Sequence, residues 1–159
     1  MDSPHSPSSR VIVVGVDGSQ RGDAALQWAL TVGTHPGDTV RAILVRPRDI
    51  LLPGTSFAIQ PHGRLPERDY SLTDHVARIR DGIADAPDVE TTTVHGDPAT
   101  ELVTATADAE LLVIGSHHGN AVSDLVLGSV ARECVRHSRC PIVVITPEAA
   151  HHLTPTGAA

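Results

Sequence analysis

The chain has 159 residues, a length that suits one domain of ordinary size. Its 40% apolar and 19% charged residues are typical of a folded globular protein, and its net charge of -7 argues against a nucleic-acid partner, which would require a basic surface. All 12 basic residues are Arg, so chemistry that needs a Lys amine, including a Walker-type phosphate loop, is excluded.

Several further classes are disfavoured by composition. The apolar runs are far shorter than the roughly 20 residues of a membrane-spanning helix, so we expect no membrane segment. The first residues lack the apolar stretch of a signal peptide, and we therefore expect a cytoplasmic protein. Two cysteines, Cys134 and Cys140, do not form a disulfide framework, and the ten histidines show no metal-ligand spacing.

The chain opens on a Ser/Pro-rich stretch, residues 1–9, which we expect to form a flexible arm. An apolar, β-branched run starting at Arg10 predicts a strand buried on both faces, as in parallel sheets. This strand ends at 17–19, Asp-Gly-Ser. Apolar residues at helical spacing over 23–32 then predict a helix whose buried face includes Val32.

Strand and helix patterns keep alternating along the rest of the chain. Apolar runs predict four more strands, at Thr39–Val45, Val89–Val94, Leu111–Ile114 and Pro141–Ile145. Helical patterns are predicted at 69–84, from Pro98 onward and at 129–138. Residues 46–66 contain four prolines and no clear period, which indicates a long loop.

This alternation predicts an α/β protein with a parallel sheet, helices on both faces and right-handed crossovers. Ligands of such sheets bind beyond the carboxyl ends of the strands, where the strand order reverses. If the first strand is central, the reversal lies between the first and fourth strands. Asp17 and Gly115-Ser116 follow these two strands, so the pattern brings them together.

The segment 111–130 combines a strand-end glycine, a polar loop and a Gly-Ser pair that opens a helix. Gly115 allows backbone amides to approach an anion closely. Ser129 can donate its hydroxyl, and the free N–H groups of the helix that starts there attract negative charge. The segment therefore predicts a phosphate site that needs no Lys.

In these features the chain resembles the universal stress protein family, from about Arg10 to Thr146. The resemblance is carried by Val14-Gly-Val-Asp17-Gly-Ser19, Gly96-Asp-Pro98, Gly115-Ser116, Leu127-Gly-Ser-Val130 and Cys140-Pro-Ile-Val-Val-Ile145. It implies an open five-stranded parallel sheet in the order 3-2-1-4-5 with a Rossmann-like arrangement of helices. The domain then spans 10–146, with the arm 1–9 before it and a flexible tail, 147–159, after it.

Members of this family that bind ATP share a motif of glycine, two residues, glycine, nine residues, glycine and Ser or Thr. The first glycine is then Gly115 and the last pair is Gly128-Ser129. The middle position holds His118, and a glycine follows one residue later, at Gly119. The imidazole could fill the phosphate space, the turn could shift by one residue, or a histidine could contact phosphate. These three alternatives stay open.

The resemblance also implies roles for individual residues. The backbone of Val45 would contact the adenine, and Val16 and Asp17 would lie along the nucleoside, with Asp17 near the ribose or a phosphate-bound Mg²⁺. The residues implied around the ribose and the phosphates are Ile114, Gly115, Ser116, His117, His118 and Gly119, with Gly128, Ser129 and Val130 as the phosphate cradle. From the residues alone, Asp17 could instead be a turn former or helix cap, and Gly128-Ser129 a plain helix start.

The expected function is therefore an ATP-binding module, with AMP as another possible ligand, that acts in stress response or signalling and is not a dedicated enzyme. Slow ATP hydrolysis through Asp17 and a metal is one alternative. A family member that binds no nucleotide and works through protein contacts is another.

The last predicted strand would lie at an apolar edge of the sheet, and such an edge can associate with a second chain. Family members commonly dimerise through this strand, so a homodimer with antiparallel pairing is expected. The residues predicted at this interface are Pro141, Ile142, Val143, Val144 and Ile145.

Overall fold

The computed structural model describes residues 9–48, 50–51, 58–59, 70–116, 127–146, 148–149 and 152. The main sheet contains five strands: β1 (Val11–Gly15), β2 (Thr39–Arg46), β3 (Val89–His95), β4 (Leu111–Gly115) and β5 (Ile142–Ile145). The helices that connect them are α1 (Gln20–Trp28), α2 (Leu72–Asp81), α3 (Pro98–Ala105) and α4 (Ser129–His137).

The sheet is parallel throughout, and its order is β3-β2-β1-β4-β5. The predicted order 3-2-1-4-5 is confirmed. Strand β1 is central, with Val14 beside Ala42 of β2 on one side and Val113 of β4 on the other. The strand order therefore reverses between β1 and β4, where the sequence pattern places it.

The core consists of two apolar layers, one on each face of the sheet. Alternate residues of β1 serve opposite layers: Ile12 and Val14 pack with α1 and α2, whereas Val13 packs with α3 and α4. All three side chains are fully buried. Because both of their faces are covered, the central strands β1 and β4 are built from Val, Ile and Leu up to their terminal glycines. No helix among the described residues is long and apolar enough to cross a bilayer.

Several element boundaries differ from the predictions; helix α2, for example, spans Leu72–Asp81 instead of 69–84. Helix α1 begins at Gln20, three residues earlier than the apolar spacing indicates, because Ser19 caps it. It continues into a π-helical turn, Ala29–Gly33, and Val32 is 58% exposed instead of buried. The wider π turn shifts the helical phase, so the period of 3.6 residues no longer holds there. Strand β5 begins at Ile142, one residue after Pro141.

The segment predicted as a long loop contains a short antiparallel pair, Ile50–Leu51 with Ala58–Ile59. Both partners have only two residues. Residues 49, 52–57 and 60–69 of this segment lie outside the described residues. The pair is separate from the main sheet.

At the amino edge of the sheet, the buried carboxylate of Asp38 ties the start of β1 to the turn before β2. Asp38 accepts hydrogen bonds from the backbone N–H of Arg10 (3.0 Å), the Arg10 guanidinium (3.1 and 2.5 Å) and the backbone N–H of His35 (2.8 Å). Burial alone would raise the pKa of Asp38, but the hydrogen bonds from Arg10 and His35 outweigh it and hold this pKa below its usual value of 3.8.

Replacing this carboxylate should destabilise the fold. In Asp38→Asn an amide NH₂ faces the donors of Arg10, so we expect a loss of about 2–3 kcal/mol in unfolding free energy at pH 7, measured by urea denaturation. The matched control is Asp88→Asn, because the Asp88 side chain is 97% exposed in its ion pair with Arg80; its loss should stay below about 0.5 kcal/mol.

The ion pair between Asp38 and Arg10 also predicts how the unfolding free energy depends on pH. The pKa of Asp38 is lower in the folded than in the unfolded chain, so its contribution is complete above about pH 4 and is lost as the pH falls through the folded-state value. The stability difference between the wild type and Asp38→Asn should therefore shrink from pH 7 to pH 3. An unchanged difference would show that the carboxylate charge does not stabilise the fold.

Candidate functional site

The carboxyl ends of β1 and β4 lie side by side and continue the sheet by one residue each. The Val16 N–H donates to the Ile43 carbonyl of β2 (2.9 Å), and the Ser116 N–H donates to the Ile145 carbonyl of β5 (2.9 Å). Val16 and Ser116 are both buried. Asp17 follows as an exposed residue at the same edge. The structure therefore brings the two predicted strand ends together.

Asp17 is part of a hydrogen-bonded turn that opens α1. Its Oδ1 accepts from the N–H (2.9 Å) and the hydroxyl (2.5 Å) of Ser19, and the Ser19 hydroxyl oxygen accepts from the Gly22 N–H (3.1 Å). Gly18 between them has φ +79, a conformation that favours glycine. The helix cap is thus Ser19, while Asp17 orients it and keeps a carboxylate exposed at the sheet edge.

The first turn of α1 crosses the ends of both central strands at very short range. A Cβ on Gly115 would lie 2.8 Å from the Arg21 Cβ and 2.9 Å from its backbone. A Cβ on Gly22 would lie 2.6 Å from the Asp17 Oδ1. The sequence pattern predicts Gly115 as a site for close approach of a ligand, whereas in the structure it is the helix that approaches this glycine.

Helix α4 differs from the other helices at its N-terminus. Ser19, Ser71 and Asp97 each accept a hydrogen bond from the first turn of their own helix, α1, α2 and α3 respectively. The N-cap of α4 is Gly128, which has no side chain to do so. Because α4 runs between β4 and β5, its N-terminus points to the carboxyl edge of the sheet, and the N-cap residue itself makes no side-chain bond to the first-turn N–H groups, which can bind an anion.

Ser129 and Val130 form this first turn, with Ser129 exposed and Val130 half-buried. Ile114, the last buried side chain of β4, packs in the apolar layer of α3 and α4. Val45 lies two residues past Ile43, just as Asp17 lies two residues past Gly15, its neighbour in the sheet. The register therefore puts Val45 level with Asp17. His117, His118 and Gly119 lie outside the described residues.

Two buried hydroxyls have no hydrogen-bond partner among the residues that the structure describes. They are Ser116 Oγ and Tyr70 Oη. Ser116 is 6% exposed and belongs to the predicted site, whereas Tyr70 was not predicted. Tyr70 immediately precedes the cap of α2, and nothing in its local sequence marks it as a site residue. Burial, and then the negative charges of Asp23 and Asp17, raise its pKa to about 12.

Next to Tyr70, the helices α1 and α2 are joined by a polar contact. The Nε2 of His75 lies 2.5 Å from the Oδ1 of Asp23, and the rings of His75 and Tyr70 are 5.2 Å apart between centroids. This contact fixes the N-terminal turns of both helices beside the end of β1. Within the described part of the chain, no group of three or more His, Cys, Asp or Glu side chains could hold a metal ion.

The strand predicted to form the dimer, β5, lies at one edge of the main sheet, beside β4. Val143 stands beside Val113 of β4, and its partly buried side chain packs against the layer of α1 and α2. Ile145 is 3% exposed, and its carbonyl accepts from β4. Pro141 precedes β5. Ile142 and Val144 are also partly buried and pack against the layer of α3 and α4, so the side chains of β5 alternate between the two layers.

The fold and the carboxyl edge define a class: open parallel α/β proteins with a candidate ligand site where the strand order reverses. The model of the universal stress protein family matches residues 8–146. The chain therefore belongs to the universal stress protein family.

Relatives and solved structures agree with this assignment. A universal stress protein of Mycobacterium tuberculosis, Rv2005c, is 31% identical over 148 residues, which are 90% of this chain and 46% of the relative. The chain thus spans about half the length of the curated relatives that it matches.

Two similar solved structures contain nucleotides. A universal stress protein in complex with cAMP is 22% identical, with a TM-score of 0.61 over 85% of this chain and 94% of the other. A family member from Arabidopsis thaliana with AMP bound is 15% identical, with a TM-score of 0.51 over 93% and 97% of the two chains. At these identities the likeness shows the shared fold.

The close approach of α1 to Gly115 can be tested by substitution. Gly115→Ala should lower the unfolding free energy by about 1–3 kcal/mol, because the new Cβ meets Arg21 backbone atoms that cannot move aside. The control is Gly82→Ala, where the nearest atom is 3.5 Å away and φ is -79, so stability should be unchanged or rise by up to about 1 kcal/mol. Equal effects of the two substitutions would contradict the close crossing.

Proposed function

We propose that this chain binds an adenine nucleotide, ATP in the first place, at the carboxyl edge of its sheet and acts as a binding or signalling module. The observation that carries the proposal is the N-terminus of α4, which has no side-chain cap and opens toward an edge where the buried hydroxyl of Ser116 has no partner among the described residues. Phosphate oxygens would accept hydrogen bonds from the first turn of α4, and the ligand could satisfy Ser116.

The other residues keep, in this proposal, the roles that the family resemblance implies. In the proposal, Ser129 and Val130 hold the phosphates, while Ile114, Gly115 and Val16 form the floor beneath the ribose. Val45 contacts the base through its backbone. The loop residues His117, His118 and Gly119 close the phosphate side, with the three alternatives for His118 still open.

Mg²⁺ would enter with the nucleotide. It prefers oxygen ligands and is usually held by one or two carboxylates together with substrate phosphates. Asp17 offers one exposed carboxylate at the edge, which fits a phosphate-bound ion and does not suffice for a site made by the protein alone. The cAMP and AMP complexes of related proteins support an adenine nucleotide as the ligand class.

A substitution at the α4 cap separates ligand binding from folding. In Gly128→Asp, the new carboxylate can accept from the first-turn N–H groups, since φ -61 and ψ 166 at this position suit an N-cap residue. It should repel phosphate and weaken ATP binding by at least about 10-fold while the protein stays as stable as the wild type. Calorimetry with ATP, with and without Mg²⁺, measures the affinity, and thermal unfolding measures the stability.

The control for this experiment is Gly82→Asp, which adds the same charge at the C-terminus of α2, at the opposite edge of the sheet. It should leave ATP affinity unchanged. If the wild type gives neither heat nor a thermal shift at millimolar ATP, the proposal is wrong and the nucleotide-free alternative stands. If Gly128→Asp binds ATP as tightly as the wild type, the phosphates are not held at α4.

We also propose that the chain forms a homodimer through the outer edge of β5, the edge opposite β4. The Pro141 carbonyl accepts from the Leu112 N–H of β4, and the Ile145 carbonyl accepts from the N–H of Ser116, just past β4. Odd-numbered residues of this stretch, Val143 among them, therefore point their backbone groups to β4. Successive residues alternate, and Ile142 and Val144 therefore direct theirs outward. An apolar strand with outward-facing backbone groups can pair with a second copy.

The outward N–H of Val144 gives the test. Val144→Pro removes this donor, which Pro tolerates at a sheet edge, and should convert a dimer into a monomer in light-scattering measurements after gel filtration. Val135→Ser, at a residue of α4 that is 54% exposed, tests association through the helix instead and should leave the dimer intact. A monomeric wild type, or a dimeric Val144→Pro, would contradict pairing through β5.

A further inference from the structure

The starting point is the pair of buried hydroxyls without partners in the described part of the chain, Ser116 Oγ and Tyr70 Oη. Buried polar groups in native proteins almost always have a hydrogen-bond partner, and an unpaired one costs folding free energy. Ser116 lies at the carboxyl edge of the sheet, just past β4. If Tyr70 lies at the same edge, both unpaired groups are explained by one ligand.

A short series of contacts places Tyr70 at that edge. Asp17 bonds to Ser19, the cap of α1, and the first turn of α1 carries Asp23. Asp23 contacts His75 of α2 (2.5 Å), whose ring lies 5.2 Å from that of Tyr70. Helix α2 follows the carboxyl end of β2 and returns to the start of β3, so the residue before its cap lies at the carboxyl edge.

The two hydroxyls lie on different sides of the site. Ser116 and the N-terminus of α4 lie on the β4 side, where the phosphates are proposed to bind. Tyr70 packs with the apolar layer of α1 and α2. The carboxylates of Asp23 and Asp17 act on its hydroxyl more strongly than the guanidinium groups of Arg78 and Arg46, and this balance disfavours a phosphate there. A neutral group that can accept one hydrogen bond and donate another fits this side.

A sugar hydroxyl is such a group. It can accept from the Tyr70 O–H and donate to the exposed carboxylate of Asp17 at the same time. The phenol stays protonated at neutral pH and is therefore a donor. We propose that Tyr70 is a specificity-determining residue of the site, whose hydroxyl binds a ribose hydroxyl of the nucleotide. This inference rests on the proposed function above.

The test is Tyr70→Phe, which removes one oxygen and keeps the ring. Affinity for ATP should fall by about 3- to 10-fold, the range of one neutral hydrogen bond. Affinity for either 2′-deoxy-ATP or 3′-deoxy-ATP, whichever lacks the partner hydroxyl, should be the same in the variant and the wild type. Since the variant also loses an unpaired buried group, its melting temperature without ligand should rise by about 2–6 °C.

The matched control is Thr73→Val, one turn further along α2. Its hydroxyl lies 2.9 Å from that of Thr91 on β3, away from the site, so ATP affinity should not change. Equal losses for ATP and both deoxy analogues would overturn the sugar contact, and an unchanged ATP affinity would overturn any role of the Tyr70 hydroxyl. A wild type that binds no ATP overturns the proposed function itself, and the Tyr70 assignment fails with it.

Discussion

The close crossing of α1 over the ends of β1 and β4 is the constraint on which the candidate site depends. A Cβ on Gly115 would lie 2.8 Å from the Arg21 Cβ and 2.9 Å from its backbone, and a Cβ on Gly22 would lie 2.6 Å from the Asp17 Oδ1. The turn before α1 is closed locally, because Asp17 accepts hydrogen bonds from Ser19, which caps the helix. The same crossing brings Asp23 within reach of His75, and thereby orders α2 against α1. The glycine contact, the capped turn and the Asp23–His75 contact together hold β4, α1 and α2 at this edge.

The core and the opposite, amino edge of the sheet hold the central strand β1 in place. With only three aromatic residues in the chain, the core is made of aliphatic side chains, and β1 supplies both layers by simple alternation. At the opposite edge, the buried Asp38 ties the start of β1 to the turn before β2. The central strand is therefore anchored at both ends: the Arg10–Asp38 pair holds its start, and the first turn of α1 lies across its carboxyl end.

The absence of Lys gives the candidate site its chemical character. An acidic chain without a Lys amine would have to hold phosphates with backbone N–H groups, hydroxyls and a helix dipole. The uncapped start of α4 and the Ser116 hydroxyl, unpaired among the described residues, supply two of these. Asp17 and Asp23 lie at the start of α1, and the proposal therefore assigns the phosphates to the α4 side and a neutral sugar hydroxyl to the Tyr70 side.

Local pattern in the sequence determined the strands almost to the residue and the alternation of strands and helices that implies a parallel sheet. It also predicted that Asp17 lies near Gly115-Ser116. The strand order came from the family resemblance. These features depend on periodicity and on strand ends, which a sequence displays directly. Only the tertiary structure decided that Val32 is exposed, that Gly115 lies against Arg21, and that the Tyr70 hydroxyl is buried without a partner in the described part of the chain. The physical reason is distance along the chain: Asp23 and His75, which border Tyr70, are 52 residues apart, and no local pattern records such a contact.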